Sequence, residues 1–571
     1  MSSSRFIGTI LSILLAIFAY FYGIDSPHIP NIGDEFPYAH ITRLTAESGH
    51  LLPLQSELDH MRNTKPPLLF WQGIAATHWG SEWTWFNLRY PSVIYTLLTA
   101  LLIFLLARKI AQQQSRVSAT TPTEIGWRAA LIFLAFFSSY RYGRPFLVNP
   151  PEVFWFFLPF FTLLYWRKVA FDSRLIIPLL LGCEIGIGLL YKSFALIVPI
   201  GLALSWWYWH QRDYRLKVFL LRDAWKVAIS LSLALAIFSL WFVFDPDPQA
   251  IWREFIVGEN AGKFGAKEGG YFATLLWGGS SIWALLLGYP MNAGLLALPV
   301  AALFFVAYRR RLQMADDEKM LWIWMAAIFL IFCLPSQRTA RYLLEAMPAV
   351  AILAGLNWQR IPRVFFVLSF ALSAVILALL AYLSFRLEQE VGHLYGLGWI
   401  LLLMLTTGFI LLGLFSARFS RDLLSITAIL VMLTLAVFLS PIDDVSGKFS
   451  LAAQQSVKGK DVWTPCNFRA VDEGYRFLLP GAKVHGYLMA PEQTISALSG
   501  KYNYFAVQLP MQEKCDGCQV IGRRLEIRNR HNAEDIKKIF KGEVYQQLFV
   551  NEWLLVAPAA LPTTPLLEGC R

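Results

Sequence analysis

Two charged clusters near the start of the chain have residue types and a spacing suited to chemistry. The first is Asp34-Glu35, inside Gly33–Ala39, and the second is Lys65, followed by Pro66 and Pro67. Both lie in one polar stretch, residues 26–87, after an apolar N-terminal segment. A carboxylate can take the proton of an attacking hydroxyl, a step typically worth ~10²–10⁴-fold in rate. Lysine holds a phosphate as a point charge, and arginine grips it with two parallel N–H groups. The two prolines keep the backbone after Lys65 extended and remove two donors. Lys192, Arg338 and Arg341-Tyr342 follow, as do Arg253, Glu259, Asn260 and Lys263, and Arg141 and Arg144 ahead of Asn149-Pro150-Pro151-Glu152. Taken singly, such charges are solvated loop residues or anchors that snorkel at a membrane surface.

The elements that must position them are membrane helices. The 571 residues are 56% hydrophobic and 16% charged, against roughly 25% charged in an ordinary soluble protein. Apolar runs of about 17 to 25 residues match the ~30 Å of hydrocarbon a helix must cross. The fold class expected is an all-α polytopic bundle, with spans near 6–23, 88–107, 127–142, 150–167, 174–191, 193–209, 224–244, 284–308, 319–335, 341–357, 363–384, 395–416 and 422–440. That makes about thirteen, with boundaries good to ~2–4 residues. Segment 6–23 lacks a small-x-small cleavage site and reads as an uncleaved helix rather than a signal peptide.

A formal charge of +11 raises nucleic acid as a partner, but the placement of the cations accounts for it. Arg108, Lys109 and Arg116, Arg167 and Lys168, Arg212 to Arg222, Arg309 to Arg311, Arg360 and Arg363, and Arg418 and Arg421 fall in alternate loops. Those loops are cytoplasmic by the positive-inside rule, and the N-terminus shares their side. No nucleic-acid partner is expected. The other face carries 24–87, 143–149, 191–193, 245–283, 336–341, 385–394 and everything after about 441. The organisation expected is a transmembrane domain over 1–440, with outer loops 24–87 and 245–283, and an extracytoplasmic domain over 441–571.

The tail changes character. Tyr502 to Leu509, Val520 to Ile527 and Tyr545 to Ala557 read as strands, with a helix near Ala533–Lys541, so a small α/β domain fits. Cys466, Cys515, Cys518 and Cys570 all lie there. The C-x-x-C spacing at Cys515 admits metal, redox or disulfide chemistry. In an oxidising outer compartment structural disulfides are favoured, with the pairing open.

A tight outer loop such as Tyr191-Lys192-Ser193 runs against the positive-inside bias, so its cation needs another reason. Several such cations facing one carboxylate fit an anionic, membrane-borne group, and a lipid phosphate is the obvious one. If that phosphate carries a sugar, its departure develops charge on the phosphate oxygens, which preorganised cations stabilise. One carboxylate and a cationic clamp suffice for an inverting displacement. No Gly-rich phosphate loop is visible in the sequence.

These residues resemble a known family. Asp34-Glu35-x-x-Tyr38-Ala39, Lys65-Pro66 with Phe70-Trp71, Arg144 to Asn149-Pro150, Leu190-Tyr191-Lys192-Ser193, Glu259-Asn260-x-x-Lys263-Phe264 and Arg341-Tyr342 with Pro348-Ala349 occur in this order. The pattern is similar to bacterial lipid-linked glycosyltransferases of the GT-C class, in the group of the lipid A aminoarabinose transferases, with protein O-mannosyltransferases as more distant relatives. The resemblance implies a multi-pass protein of the bacterial inner membrane, with its C-terminal domain periplasmic. It implies a polyprenyl-phosphate-linked sugar as donor and a glycolipid such as lipid A, a polysaccharide or a protein as acceptor. Carried over position by position, it makes Asp34, beside Glu35, the catalytic carboxylate. Lys65, Lys192, Lys263, Arg341 and Tyr342 become candidates for the donor phosphate, and Arg338, a cation at the start of the same span as Arg341, joins them from its position. Two departures matter. The family's metal-ligating Glu and His are here Thr64 and Asn260, so no metal and no cofactor are expected. The second family carboxylate is here Asn149, with Glu152 as a possible substitute.

Two other classes stay open on sequence. A transporter of lipid-linked sugars would use ionisable residues at mid-membrane, for which Glu184 is the candidate. An inactive scaffold relative gains weight from Asn149.

Overall fold

The protein is described here from a computed structural model, which covers residues 3–28, 33–58, 60–114, 120–260, 270–442, 447–488, 494–511, 519–528 and 531–557. Among these residues, six helices are long and apolar enough to cross a membrane: Trp85–Gln114, Ala224–Phe244, Ile282–Arg310, Arg363–Val391, Leu397–Phe415 and Ser420–Pro441. Each matches one expected span. The other expected spans are shorter or broken, so the count of about thirteen single spanning helices is not reproduced. Span 127–142 divides at Phe136 into Pro122–Ala135 and Phe137–Tyr142. Span 341–357 begins as the 3-10 helix Ala340–Ala346 and continues as Met347–Asn357. Within Ile282–Arg310 the chain turns at Gly294, whose φ of +61° favours glycine and where a Cβ would lie 2.5 Å from Phe137. That close approach seats the broken helix against its neighbour.

The polar stretch after the first helix is structured. It contains the helices Glu35–Glu47 and Leu68–Ala76. Tyr38, Ile41, Leu69, Phe70, Trp85, Phe146 and Tyr191 form one apolar cluster beneath them. The stretch is thus a packed layer on one end of the bundle.

Beyond the last long helix lies a five-stranded sheet. Its strands are β1 (Asp461–Cys466), β2 (Lys483–Leu488), β3 (Tyr504–Pro510), β4 (Gln519–Ile527) and β5 (Phe549–Val556), in the order β2-β1-β3-β5-β4. β1 pairs parallel with β2 and β3, and β5 pairs antiparallel with β3 and β4. The helices Glu473–Leu478 and Ile495–Ser499 make the crossovers that parallel strands need. β3, β4, β5 and the helix Ala533–Lys541 match the sequence expectation, whereas β1 and β2 are additional. Cys466 is disulfide-bonded; Cys515, Cys518 and Cys570 lie outside the described residues, and Cys183 and Cys333 are free.

The sheet domain is clamped to this layer. Glu473, fully buried, accepts from Arg43 Nε at 2.8 Å and Nη2 at 3.1 Å, and pairs with His40 Nδ1 at 3.2 Å. Beside it, Phe477 stacks on Trp85 with ring centroids 3.9 Å apart. Both His40 and Arg43 belong to the helix Glu35–Glu47, so the domain grips the helix that Asp34 precedes.

Candidate functional site

Asp34 is the residue immediately before the helix Glu35–Glu47, yet its side chain makes no cap hydrogen bond to it. Its carboxylate reaches outward instead, with Arg341 Nη1 2.5 Å from Oδ2 and the side chain 46% exposed. Arg341 arrives from the 3-10 helix Ala340–Ala346 and turns its other edge to Asn149. Its Nε and Nη2 both donate to Asn149 Oδ1, at 3.0 and 2.6 Å. Asn149 opens the helix Asn149–Tyr165, and its Nδ2 donates to Glu152 Oε2 at 3.2 Å. Lys192 closes the chain, giving hydrogen bonds to Glu152 Oε2 at 2.7 Å and Glu345 Oε1 at 3.2 Å.

This geometry gives a physical reason for Asn149. An amide accepts from Arg341 with its oxygen and donates to Glu152 with its nitrogen. A carboxylate at this position could only accept, and it would face the Glu152 carboxylate. Asn149 and Glu152 therefore make a complementary pair.

Tyr38, one turn into the helix after Asp34, ties the remaining groups to this chain. Its phenol is pushed up, chiefly by burial and next by the Asp34 carboxylate; Arg341 and Lys192 act against the shift and Glu259 with it. All four charges thus act on one hydroxyl. Glu259 in turn holds Lys65, whose Nζ lies 2.6 Å from Oε1 and also donates to the Thr64 carbonyl at 3.0 Å. Asn260 donates to the Phe255 carbonyl at 2.7 Å and accepts from Ser193 Oγ at 2.9 Å.

Not every residue singled out from sequence joins the group. Glu35 is fully buried, held by Arg89 Nε and Nη2 at 2.7 Å each and by the Phe146 N–H at 2.7 Å. Arg338 is buried too, and donates to the carbonyls of Cys333, Thr274 and Ser280. Both therefore hold the scaffold. Arg144 does the same, donating to the carbonyls of Tyr20 and Tyr22. Tyr342 stacks on Phe332, with centroids 5.1 Å apart. Lys263 lies outside the described residues. Conversely, Glu345, Tyr38 and Glu473 were not picked out from sequence as site groups. Glu345 had a signal: it is a lone carboxylate in the apolar run Leu343 to Val350.

Comparison with known proteins adds three findings. Residues 30–252 match the family model described as dolichyl-phosphate-mannose-protein mannosyltransferase. The chain is 26% identical over 358 residues to undecaprenyl phosphate-alpha-4-amino-4-deoxy-L-arabinose arabinosyl transferase 2 of Pseudomonas fluorescens (strain Pf0-1), across 60% of this chain and 59% of that one. It is 25% identical over 352 residues to the transferase of the same name from Proteus mirabilis (strain HI4320), across 61% and 58%. The chain thus matches under two thirds of the length of these curated relatives. Its fold matches over nearly its whole length that of the crystal structure of ArnT from Cupriavidus metallidurans, with a TM-score of 0.61 at 16% identity, covering 98% of this chain and 100% of that chain. The form of that protein bound to undecaprenyl phosphate gives 0.60 at 15% identity, with the same coverage. The fold is ArnT-like, and this likeness of fold extends through the sheet domain.

Proposed function

We propose that this chain is an integral-membrane glycosyltransferase that moves a sugar from a polyprenyl-phosphate donor to an acceptor hydroxyl at the outer face of the bacterial inner membrane, with inversion. The observation that carries the reading is the half-exposed Asp34 carboxylate bridged by Arg341 to Asn149, on a surface that also holds Lys65. The named donor of the Pseudomonas and Proteus relatives, an undecaprenyl-phosphate-linked aminoarabinose, supports the donor class. The sugar and the acceptor of this chain are left open, because Thr64, Asn149 and Asn260 depart from that group's pattern.

In this mechanism Asp34 accepts the proton of the acceptor hydroxyl as its oxygen forms a bond to the sugar's anomeric carbon. The bond from that carbon to the lipid phosphate breaks, and its electron pair leaves on the phosphate oxygen. Arg341 and Lys65 meet the charge that develops there. Each is already paired with one carboxylate, Asp34 and Glu259, so the resting site holds its cations in place without a ligand. Lys192 works one step back: by pairing with Glu152 and Glu345 it fixes the acidic end that orients Asn149, which in turn fixes Arg341. The transporter reading finds less support. Glu184 is hydrogen-bonded to Thr162 at 2.8 Å within the bundle, with no chain of ionisable partners among the described residues.

The test is mass spectrometry of envelope glycans from cells with and without this protein. A sugar lost from one glycolipid, polysaccharide or protein names both substrates. An unchanged envelope glycan set, with the protein expressed in the control, would refute the transferase reading.

A further inference from the structure

We infer that the helix Ala533–Lys541 of the outer sheet domain is a membrane-interface anchor, whose partner is a lipid surface bearing anionic headgroups. Its sequence, AEDIKKIFK, places Ile536, Ile539 and Phe540 on one stripe at i, i+3 and i+4. The helix is closed at both ends. Asn532 and Asp535 form a capping box, and Gly542 closes the helix in a left-handed conformation. Ile539 packs into a cluster with Leu380 and Leu387 of the helix Arg363–Val391. Its two neighbours on the stripe stay open, Ile536 46% and Phe540 65% exposed.

An exposed phenylalanine alone says little. What decides the matter is the level at which this one sits. Tyr382 Oη donates to the carbonyls of Ile539 and Phe540 at 3.3 and 3.2 Å. Arg386 Nη2 donates to the Gly542 carbonyl at 3.0 Å, and Glu390 accepts from the N–H groups of Val544 and Tyr545 at 3.1 Å each. The chain from 539 to 545 therefore climbs the outer end of the spanning helix. After Arg363 that helix carries no charge until Arg386. The run from Val364 to Tyr382 is about 27 Å long at 1.5 Å per residue, close to the ~30 Å hydrocarbon thickness. Phe540 lies at the Tyr382 level, the inner margin of the interface, where Phe385 is also 60% exposed. Lys537 and Lys541, both exposed, follow Ile536 and Phe540 along one side of the stripe and meet lipid phosphates, whereas Lys538 lies on the opposite face. The domain that grips the Asp34 helix through Glu473 is thereby held to the membrane surface as well as to the bundle.

The test uses the full chain in lipid nanodiscs, with Cys183→Ser and Cys333→Ser and the disulfide of Cys466 left oxidised. Spin labels are placed by Phe540→Cys or Ile536→Cys, with Glu534→Cys as the control, and their collisions with oxygen and with a nickel chelate are compared. The expected result is that labels at 540 and 536 favour oxygen and the label at 534 favours nickel. Labels at 540 and 536 as open to nickel as that at 534 would overturn the anchor. In a second arm, adding phosphatidylglycerol to phosphatidylcholine should deepen the 540 label, and Lys537→Ala with Lys541→Ala should abolish the increment. A depth indifferent to both would overturn the anionic-headgroup assignment.

Discussion

Two ionic clusters lie at the same end of the bundle, built from the same residue types, and they differ in how completely their charges are matched. At the clamp, Glu473 has a donor for each oxygen: Arg43 Nε on Oε1, and Arg43 Nη2 with His40 on Oε2. Burial alone would raise its pKa, but the His40 hydrogen bond and the Arg43 charge hold it at about 2. In the chain from Asp34 to Glu345, by contrast, the buried carboxyls of Glu152 and Glu345 lie against each other and share Lys192 as their cation. The closed cluster holds two parts of the molecule together. The open one has half-exposed charge left over for a ligand.

The largest expected effects fall on opposite sides of this contrast. Asp34→Asn keeps the size of the side chain and its contact with Arg341 while removing the base. Transfer should fall by ~10²–10⁴-fold, with the melting temperature and polyprenyl-phosphate binding nearly unchanged. Activity retained in that variant would remove Asp34 from the mechanism. Glu473→Ala should do the reverse. It leaves Arg43 buried with only Glu47 as a carboxylate partner, and breaking such a pair typically costs about 3–5 kcal/mol. The sheet domain should then become sensitive to limited proteolysis at temperatures where the wild type resists. A variant as resistant as the wild type would show that the Phe477–Trp85 stack carries the docking by itself.

Much of this contrast was not legible in the sequence, for reasons that particular residues make plain. The bundle and the outer domain could be read, because apolar length and alternation are local properties, and β3, β4 and β5 fell where alternation placed them. Asp34 and Lys65 could be picked out as charges needing an explanation. Their neighbour Glu35 could not be told apart from Asp34, although it is locked by Arg89, 54 positions away. Arg338 and Arg341, three residues apart, looked equivalent until the fold turned one to backbone carbonyls and the other to Asp34. Satisfaction is a property of distant partners, which a linear reading does not reach. The broken spans were missed for a related cause: the turn at Gly294 depends on Phe137, far away in sequence.

Acid gives a smaller, graded version of the same separation. The folded pKa of Glu473 lies at about 2, below its ordinary value of 4.5. The clamp's contribution is therefore fully present above about pH 4.5 and is lost as the pH falls through about 2, by linkage. Proteolytic resistance of the sheet domain should decline across that window, and Glu473→Gln should flatten the decline. An equally steep loss in Glu473→Gln would assign the acid sensitivity to other carboxylates.

The smallest effect belongs to Lys65, and it probes whether the open cluster is open in the sense that matters. Lys65 is paired with Glu259 rather than with a lipid, and its side chain is only 13% exposed. If the pair is a structural one, Lys65→Ala should lower stability and leave the apparent affinity for polyprenyl phosphate alone. If Lys65 is held ready for a phosphate, truncation removes one charge-assisted hydrogen bond to the donor, worth about 1.5–3 kcal/mol. That corresponds to a rise in the donor KM of roughly 10- to 150-fold. The double change Lys65→Ala with Glu259→Gln separates the two cases. It relieves the stranded carboxylate and should restore stability, but it should leave the donor KM raised. Recovery of the donor KM in the double variant would place Lys65 with Glu473 and Glu35, among the residues that hold the scaffold.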